Sequence, residues 1–372
     1  MVGIMQALLD RSAQLRLPAS GTFELTARCN LDCKMCYIHK KANDRLALAA
    51  ERPTAFWLNL VEQLKNAGTL TLLLTGGEPL LRTDFKEIYL AAKQAGFVVI
   101  INSNGSLLND DLIDFFARNP PARMNISLYG ASRETYEALC GRGEVYDLVT
   151  ENIRKLKHRN INVILHYTVT PYNRQDAAGI YGFAKELGIR VKNATYMFPP
   201  LRSCEKDCPQ AARLSPEEAA EATVACMRYG LKEEDFCQQA ERYAQGAELL
   251  TEEAPEELRS PKERLFCRAG SSSYWITYDG RLLPCGLLPV PSFSLEEHSF
   301  RDAWERLKAE TLKINLPDKC VSCSLRSYCE VCAANCYGEN GNYKEPPEYI
   351  CRKTKATVEQ MKQESSALRG NS

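Results

Sequence analysis

Between Thr22 and about Thr195, short β-branched runs alternate with longer helical patterns, and this alternation restricts the fold more than any other feature of the chain. Strands are expected at Thr22–Thr26, Thr69–Leu74, Val98–Asn102, Met124–Leu128, Asn162–Val169 and Val191–Thr195. Helices are expected between them at Thr54–Ala67, Asp84–Ala95, Asp110–Arg118, Val145–His158 and Asp176–Leu187. Strands joined through helices pair in parallel, because a crossover returns the chain to the end of the sheet from which it started. The result is six βα units. An open six-strand barrel and a doubly wound sheet both satisfy the pattern, and in either one the ligand sits at the carboxyl ends of the strands.

The first strand leaves at that end into Cys29-x3-Cys33-x2-Cys36. Thiolates are soft ligands, and three on one loop suit iron–sulfur or zinc. Three protein ligands leave one metal position open, and an open position is where chemistry happens. A Cys3His zinc site using His39 is the rival reading.

The chain has 372 residues, enough for a large core and two domains. Its 47 basic and 47 acidic residues balance, which argues against nucleic acid and anionic membrane as partners. Asp10, Arg11 and Arg16 interrupt the N-terminal stretch, so it reads as neither signal peptide nor membrane span. A cytoplasmic location is expected. Sixteen cysteines in such a chain point to metal or redox work, since disulfides are rare in reducing compartments.

The second strand runs into Gly76-Gly77-Glu78-Pro79, where glycines allow backbone to approach a ligand closely. Together with the three-cysteine loop, this turn resembles the radical S-adenosylmethionine (radical SAM) superfamily over most of Thr22–Thr195. The resemblance implies an α/β fold, a partial (β/α)6 radical SAM barrel. It also implies that Cys29, Cys33 and Cys36 hold a [4Fe–4S] cluster whose fourth iron chelates SAM. Gly76, Gly77, Glu78 and Pro79 would then line the methionyl end. Asn104 and Ser127 resemble the family's third- and fourth-strand ends, where SAM is met. Arg142, before Gly143, resembles an arginine that meets the SAM carboxylate; a surface arginine is the plainer reading. Tyr129 stands where the family often has an aspartate, so no role for that carboxylate carries over. Met35 replaces a common aromatic and is expected beside adenine. Tyr129, Tyr167 and Glu78 are candidates for a general base, and the catalytic residue stays unassigned.

Beyond Phe198 the pattern changes. Pro199-Pro200, then Ser215-Pro216-Glu217-Glu218, announce a capped helix to about Arg228, with a second from Glu233 to Gln245. This stretch reads as a bridge that covers the active site. Cys204-x3-Cys208 has no partner pair nearby and reads as non-ligand, while Cys140, Cys226 and Cys237 read as core thiols.

Tyr274–Tyr278, Asp279-Gly280 and Arg281–Cys285 give a β-hairpin signal. A helix from Leu295 to about Leu312 follows, with Phe300, Trp304 and Leu307 inward. Then come Cys320-x2-Cys323-x5-Cys329-x2-Cys332-x3-Cys336 and the late Cys351. Two C-x2-C pairs could bind one zinc. Cys267, Gly280, Cys285 and the later run nevertheless resemble the SPASM extension of radical SAM enzymes, which holds auxiliary [4Fe–4S] clusters, usually two. The resemblance implies one cluster on Cys320, Cys323, Cys329 and Cys351 and another on Cys267, Cys285 and Cys332. Cys336 departs from the pattern: it completes the three-thiol cluster, or that cluster keeps an open iron.

The expected organisation is an N-terminal extension (1–21), the radical SAM partial barrel (22–197), a helical bridge (198–262), a small cysteine-rich SPASM unit (263–351) and a polar C-terminal tail (352–372) that forms one fraying helix. The resemblance implies reductive cleavage of SAM to a 5′-deoxyadenosyl radical that abstracts a hydrogen atom from a peptide or protein substrate. The implied partners are that substrate and a reductant such as flavodoxin or ferredoxin; since twenty residues before the barrel cannot fold a leader-binding domain, either a separate leader-peptide-binding protein presents the substrate or the barrel mouth reads it directly. Maturation of a small cofactor or haem precursor is the alternative. An iron–sulfur electron carrier or zinc scaffold is the non-enzyme alternative.

Overall fold

The computed structural model describes residues 2–38, 40–199, 212–248 and 267–370. His39, Cys204 and Cys208 fall outside the described residues, and the expectations placed on them with them.

Helix α1 (Val2–Leu15) precedes strand β1 (Ser20–Glu24). There follow α2 (Thr54–Asn66), β2 (Thr71–Thr75), α3 (Phe85–Gln94), β3 (Val98–Ser103), α4 (Asp110–Arg118) and β4 (Arg123–Ser127). Two helices, α5 (Arg133–Cys140) and α6 (Val145–His158), lead to β5 (Val163–Thr168), and α7 (Ala177–Glu186) leads to β6 (Arg190–Ala194). Strands β1 to β6 lie side by side in chain order, every neighbour parallel. A doubly wound sheet would reverse its order partway. The unbroken order makes this the open (β/α)6 barrel.

Local chemistry explains the elements. On α4, the Asn109 side chain accepts the Leu112 N–H at 2.9 Å, Asp110 and Asp111 face the positive end of the helix dipole, and Arg118 the negative end. Beneath the sheet, Phe23 packs on Trp57 with ring centroids 4.8 Å apart, and Tyr89 meets Phe115 and Phe116 edge-on. The sequence reading missed α5. It is a short helix capped by Ser132 and ended by Gly141 in the left-handed conformation, and its apolar face of Tyr136, Leu139 and Cys140 repeats only once.

Strands β7 (Ser273–Ile276) and β8 (Arg281–Leu283) form the expected hairpin, and β9 (Phe293–Ser294) pairs with β8. The hairpin does not stand alone: β7 pairs in parallel with β1, so the barrel sheet continues as β9-β8-β7-β1-β2-β3-β4-β5-β6. Helices α8 (Pro216–Gly230) and α9 (Glu233–Glu248) form the bridge, and α8 carries the capping box Ser215/Glu218. Helix α10 (Phe300–Thr311) buries Phe300, Trp304 and Leu307 as expected. The cysteine-rich run includes α11 (Ala333–Asn340), and α12 (Glu348–Gly370) closes the chain.

The C-terminal segment is one helix, but a packed one. Ile350, Thr354, Val358 and Met361 form a buried stripe, and α12 lies against α8 and α9. Its composition is polar because only this narrow face is covered.

Candidate active site

At the carboxyl ends of β1 to β6 lies a cavity of about 350 Å³. Cys29, Cys33 and Cys36 line it, as do Gly76, Gly77, Asn104, Ser127, Met35 and Tyr129. These residues come from separate loops, and the barrel brings them together.

Backbone and buried charge hold the three-cysteine loop in place. Gly77 N–H donates to Thr26 O and Glu78 N–H to Arg28 O, both at 2.8 Å. A Cβ on Gly76 would stand 2.3 Å from Thr26 O, and one on Gly77 would stand 2.4 Å from Arg28 O. The glycines are therefore required first by the approach of two chain segments, and φ of +155° at Gly76 adds a second reason. Below them, the Glu51 carboxylate accepts from Arg28 Nε at 2.7 Å and Arg82 Nη1 at 3.4 Å, and the Thr26 hydroxyl also donates to it. Arg82 in turn pairs with Asp84 at 2.6 Å.

Glu78 and Pro79 are buried and do not line the cavity. The Glu78 carboxylate accepts from Asn104 N–H at 2.7 Å, Ser103 Oγ at 3.0 Å and Leu80 N–H at 3.1 Å. Burial pushes its pKa up to about 7 against those hydrogen bonds, which pull it down. Glu78 thus ties the ends of β2 and β3. From there Asn104 Nδ2 reaches Cys29 Sγ at 3.6 Å, and Leu31 N–H reaches the same sulfur at 3.5 Å. N–H groups aimed at sulfur favour the thiolate, the form that binds metal. Burial, more than the nearby Glu78 charge, holds the metal-free Cys29 thiol well above its ordinary pKa.

Arg142 lies away from the cavity, half exposed and paired with Glu144 at 2.8 Å. Tyr167 is buried elsewhere, its hydroxyl donating to Asn173 O at 2.7 Å. Cys140 sits in the core, as expected of a packing thiol, and its hydrogen bond with Cys33 is the first cause of that thiol's raised pKa. The loop is also paired to this helix end: Asp32 N–H donates to Cys140 O at 3.2 Å and Lys34 N–H to Leu139 O at 3.0 Å.

Several lining residues escaped the sequence reading. Asn102, Asn125, His166 and Thr168 sit at alternate positions of strands already expected, so period-two alternation could have found them. Burial, then Lys192 and Arg123, lower the His166 pKa to about 4, so its imidazole is neutral at pH 7. Tyr196, Met197 and Phe198 follow β6, and Leu287 reaches the wall from the hairpin. No local signal marks Leu287. Of the described bridge residues, Phe198 lines the cavity and none of 212–248 does, so helices α8 and α9 do not cover it.

The later cysteines fall into groups. Cys320 has Cys351, Cys329 and Cys323 as electrostatic neighbours, and Cys332 has Cys267 and Cys285. Cys336 is fully buried between the groups, beside Cys320 and Cys332. Phe198 and Leu287 of the cavity wall and the thiols Cys285 and Cys332 pack on one buried cluster of Leu288, Ile314, Ala333 and Ala334, which lies between the cavity and this thiol group. Among the described residues, no three His, Cys, Asp or Glu side chains converge on a point that one ion could occupy. A cubane takes each thiolate at a separate corner iron, so its ligands need no common point. Among the described residues, no helix is long and apolar enough to cross a membrane.

Residues 23–199 match the Radical SAM superfamily. The AdoMet-dependent heme synthase of Methanosarcina barkeri is 26% identical, over 91% of this chain and 97% of its own length. The sporulation killing factor maturation protein SkfB of Bacillus subtilis is 25% identical, over 82% of this chain and 69% of its own. Among solved structures, Streptococcus suis SuiB bound to precursor peptide SuiA superposes with a TM-score of 0.69 at 18% identity, covering 92% of this chain and 78% of that one.

Proposed function

This chain belongs to the radical SAM superfamily and is an enzyme, and on that premise we propose that it takes a hydrogen atom from a peptide or small protein substrate. When bound, the [4Fe–4S] cluster and SAM supply one electron and a carbon-centred radical able to attack an unactivated C–H bond. Cys29, Cys33 and Cys36 hold the cluster as thiolates, with the Asn104 amide and Leu31 N–H directed at the Cys29 sulfur. Gly76 and Gly77 would border the methionyl end of SAM, Asn104 and Ser127 would meet it from the next strand ends, and Met35 would pack beside its adenine. Glu78 acts as a positioning residue through Asn104. Tyr196, Met197, Phe198 and Leu287 exclude water from the reacting end. Cys320, Cys323, Cys329 and Cys351 hold one auxiliary cluster, and Cys267, Cys285 and Cys332 hold a second. A flavodoxin or ferredoxin supplies the electron.

One observation carries the choice of a peptide. The cavity of about 350 Å³ lies at the small end of the roughly 300–1,000 Å³ typical of ligand sites. A seated nucleoside would take up much of that volume, which favours a substrate that inserts one side chain over one that inserts a tetrapyrrole plane. The near-complete match to the heme synthase favours the second reading, a haem precursor. The test is anaerobic turnover of the reconstituted enzyme with SAM and dithionite. One arm offers a short peptide encoded beside the gene, the other iron-coproporphyrin III. Above-background 5′-deoxyadenosine with a peptide that has lost hydrogen supports the proposal. Decarboxylated porphyrin with an unchanged peptide replaces it with the second reading.

A further inference from the structure

Below the cavity, the inner face of the open barrel carries positive charge that no described residue balances. Side chains alternate along a strand, so the residues that line the cavity from β4, β5 and β6 identify which positions point inward: Asn125 and Ser127, His166 and Thr168, Ala194. The same face continues toward the strand starts as Arg123 on β4 and as Arg190 and Lys192 on β6. The register sets Lys192 beside His166 and Arg190 beside Ile164. Charge confirms the proximity: Arg123 and Lys192 both act on His166, and Arg190 acts on Arg123.

Elsewhere in this charge-balanced chain several arginines meet acids. Arg28 and Arg82 share Glu51, Arg213 meets Glu339, and Arg159 meets Asp114. Among the described residues, Arg123, Arg190 and Lys192 have no ion-pair partner, and the Arg123 Nε is buried with no acceptor. A guanidinium nitrogen withdrawn from water without an acceptor costs free energy, and neighbouring like charges add to that cost. An incoming anion removes both penalties at once.

We propose that Arg123, Arg190 and Lys192 form an anion ledge that holds carboxylates of the substrate while its reacting side chain enters the cavity above. The ledge deepens the substrate reading and rests on the barrel interior being where substrate lies. Its ligand is a segment bearing two or more carboxylates. An acidic peptide and a porphyrin with propionates share that chemistry.

The experiment measures equilibrium binding to the full-length, reconstituted protein, anaerobically and without reductant, so no turnover is needed. Four probes are used: hexaglutamate, hexaglutamine, coproporphyrin III and its tetramethyl ester. A carboxylate probe is expected to bind about tenfold or more tighter than its neutral counterpart, with the advantage shrinking in high salt. Whichever acid shows this advantage names the source. Arg190→Gln/Lys192→Gln should remove it, Arg123→Lys should keep most of it, and Lys185→Gln on the outer helix layer should leave it intact. Equal binding of acid and neutral forms, binding of neither, or an advantage that survives the double substitution overturns the ledge. Failure of the enzyme reading would appear separately, as no 5′-deoxyadenosine from reduced wild-type protein with SAM.

Discussion

Around Cys29 the backbone is tied to the barrel by charge and by chain contact: Glu51 lies between Arg28 and Arg82, Glu78 spans two strand ends, and two glycines let loop and turn touch. Around Cys320 to Cys336 the setting is mostly apolar. Leu316, Val331 and Ile350 pack on the thiols, α12 lies against the bridge, and two ion pairs border them: Arg213–Glu339, stacked between Tyr196 and Tyr349, and Lys353–Glu330 at 3.4 Å. Buried charge fixes geometry, because a displaced partner leaves an unpaired ion behind. Apolar packing tolerates small shifts. The loop proposed to hold the SAM cluster thus has the stricter anchoring, and the region proposed to hold the auxiliary clusters has the looser one.

The largest predicted difference is chemical. Replacing Cys29, Cys33 and Cys36 together by alanine should reduce 5′-deoxyadenosine formation to background. Replacing Cys320 and Cys329 should leave abortive SAM cleavage measurable while removing iron from the purified protein. Loss of SAM cleavage in both variants would erase the proposed division of labour.

Next comes stability. Glu51→Ala leaves the buried Arg28 guanidinium without a carboxylate and Arg82 with Asp84 alone, and should cost about 3–5 kcal/mol in chemical unfolding. Glu339→Ala strands the Arg213 guanidinium, partly relieved by its aromatic neighbours, and should cost about 2 kcal/mol. Equal costs would show that the two regions are anchored alike. Gly77→Ala should act through the Arg28 contact, lowering iron content and stability together.

The pH dependence is a smaller effect. Glu78 titrates near 7 in the folded protein and near 4.3 when unfolded, so the unfolded state loses its proton first. Glu78 therefore makes the cluster-free protein less stable as pH rises from about 4.3 to about 7, by up to about 4 kcal/mol, with no further change above. Unfolding curves of wild type and Glu78→Gln across that range should diverge by this amount; parallel curves would refute it. The smallest effect is at Tyr196→Phe, which removes a 2.6 Å hydrogen bond to Glu339 and should cost about 1–2 kcal/mol.

Much of this was legible in the residues. Helices α4 and α6 match their expected spans, and the six barrel strands fall within two residues of theirs at each end. Alternation and capping are local properties, so a short window reveals them. The three cavity thiols and the two glycines were legible for the same reason: their spacing is covalent.

Position across the fold was not. The Gly76-Gly77 pair read as space for a ligand, yet the chain pressed against it is the cysteine loop itself. Arg142 follows a motif-like spacing but points to solvent. Leu287 reached the cavity only because β7 joined the edge beside β1, a pairing between residues about 250 positions apart. Arg123, Arg190 and Lys192 are scattered and ordinary until parallel register sets them on one inner face. By itself the sequence determined which elements form and which residues can bind iron, because those depend on neighbours along the chain. Only the tertiary structure decided which charges remain unpaired and which walls the cavity has, because those depend on neighbours in space.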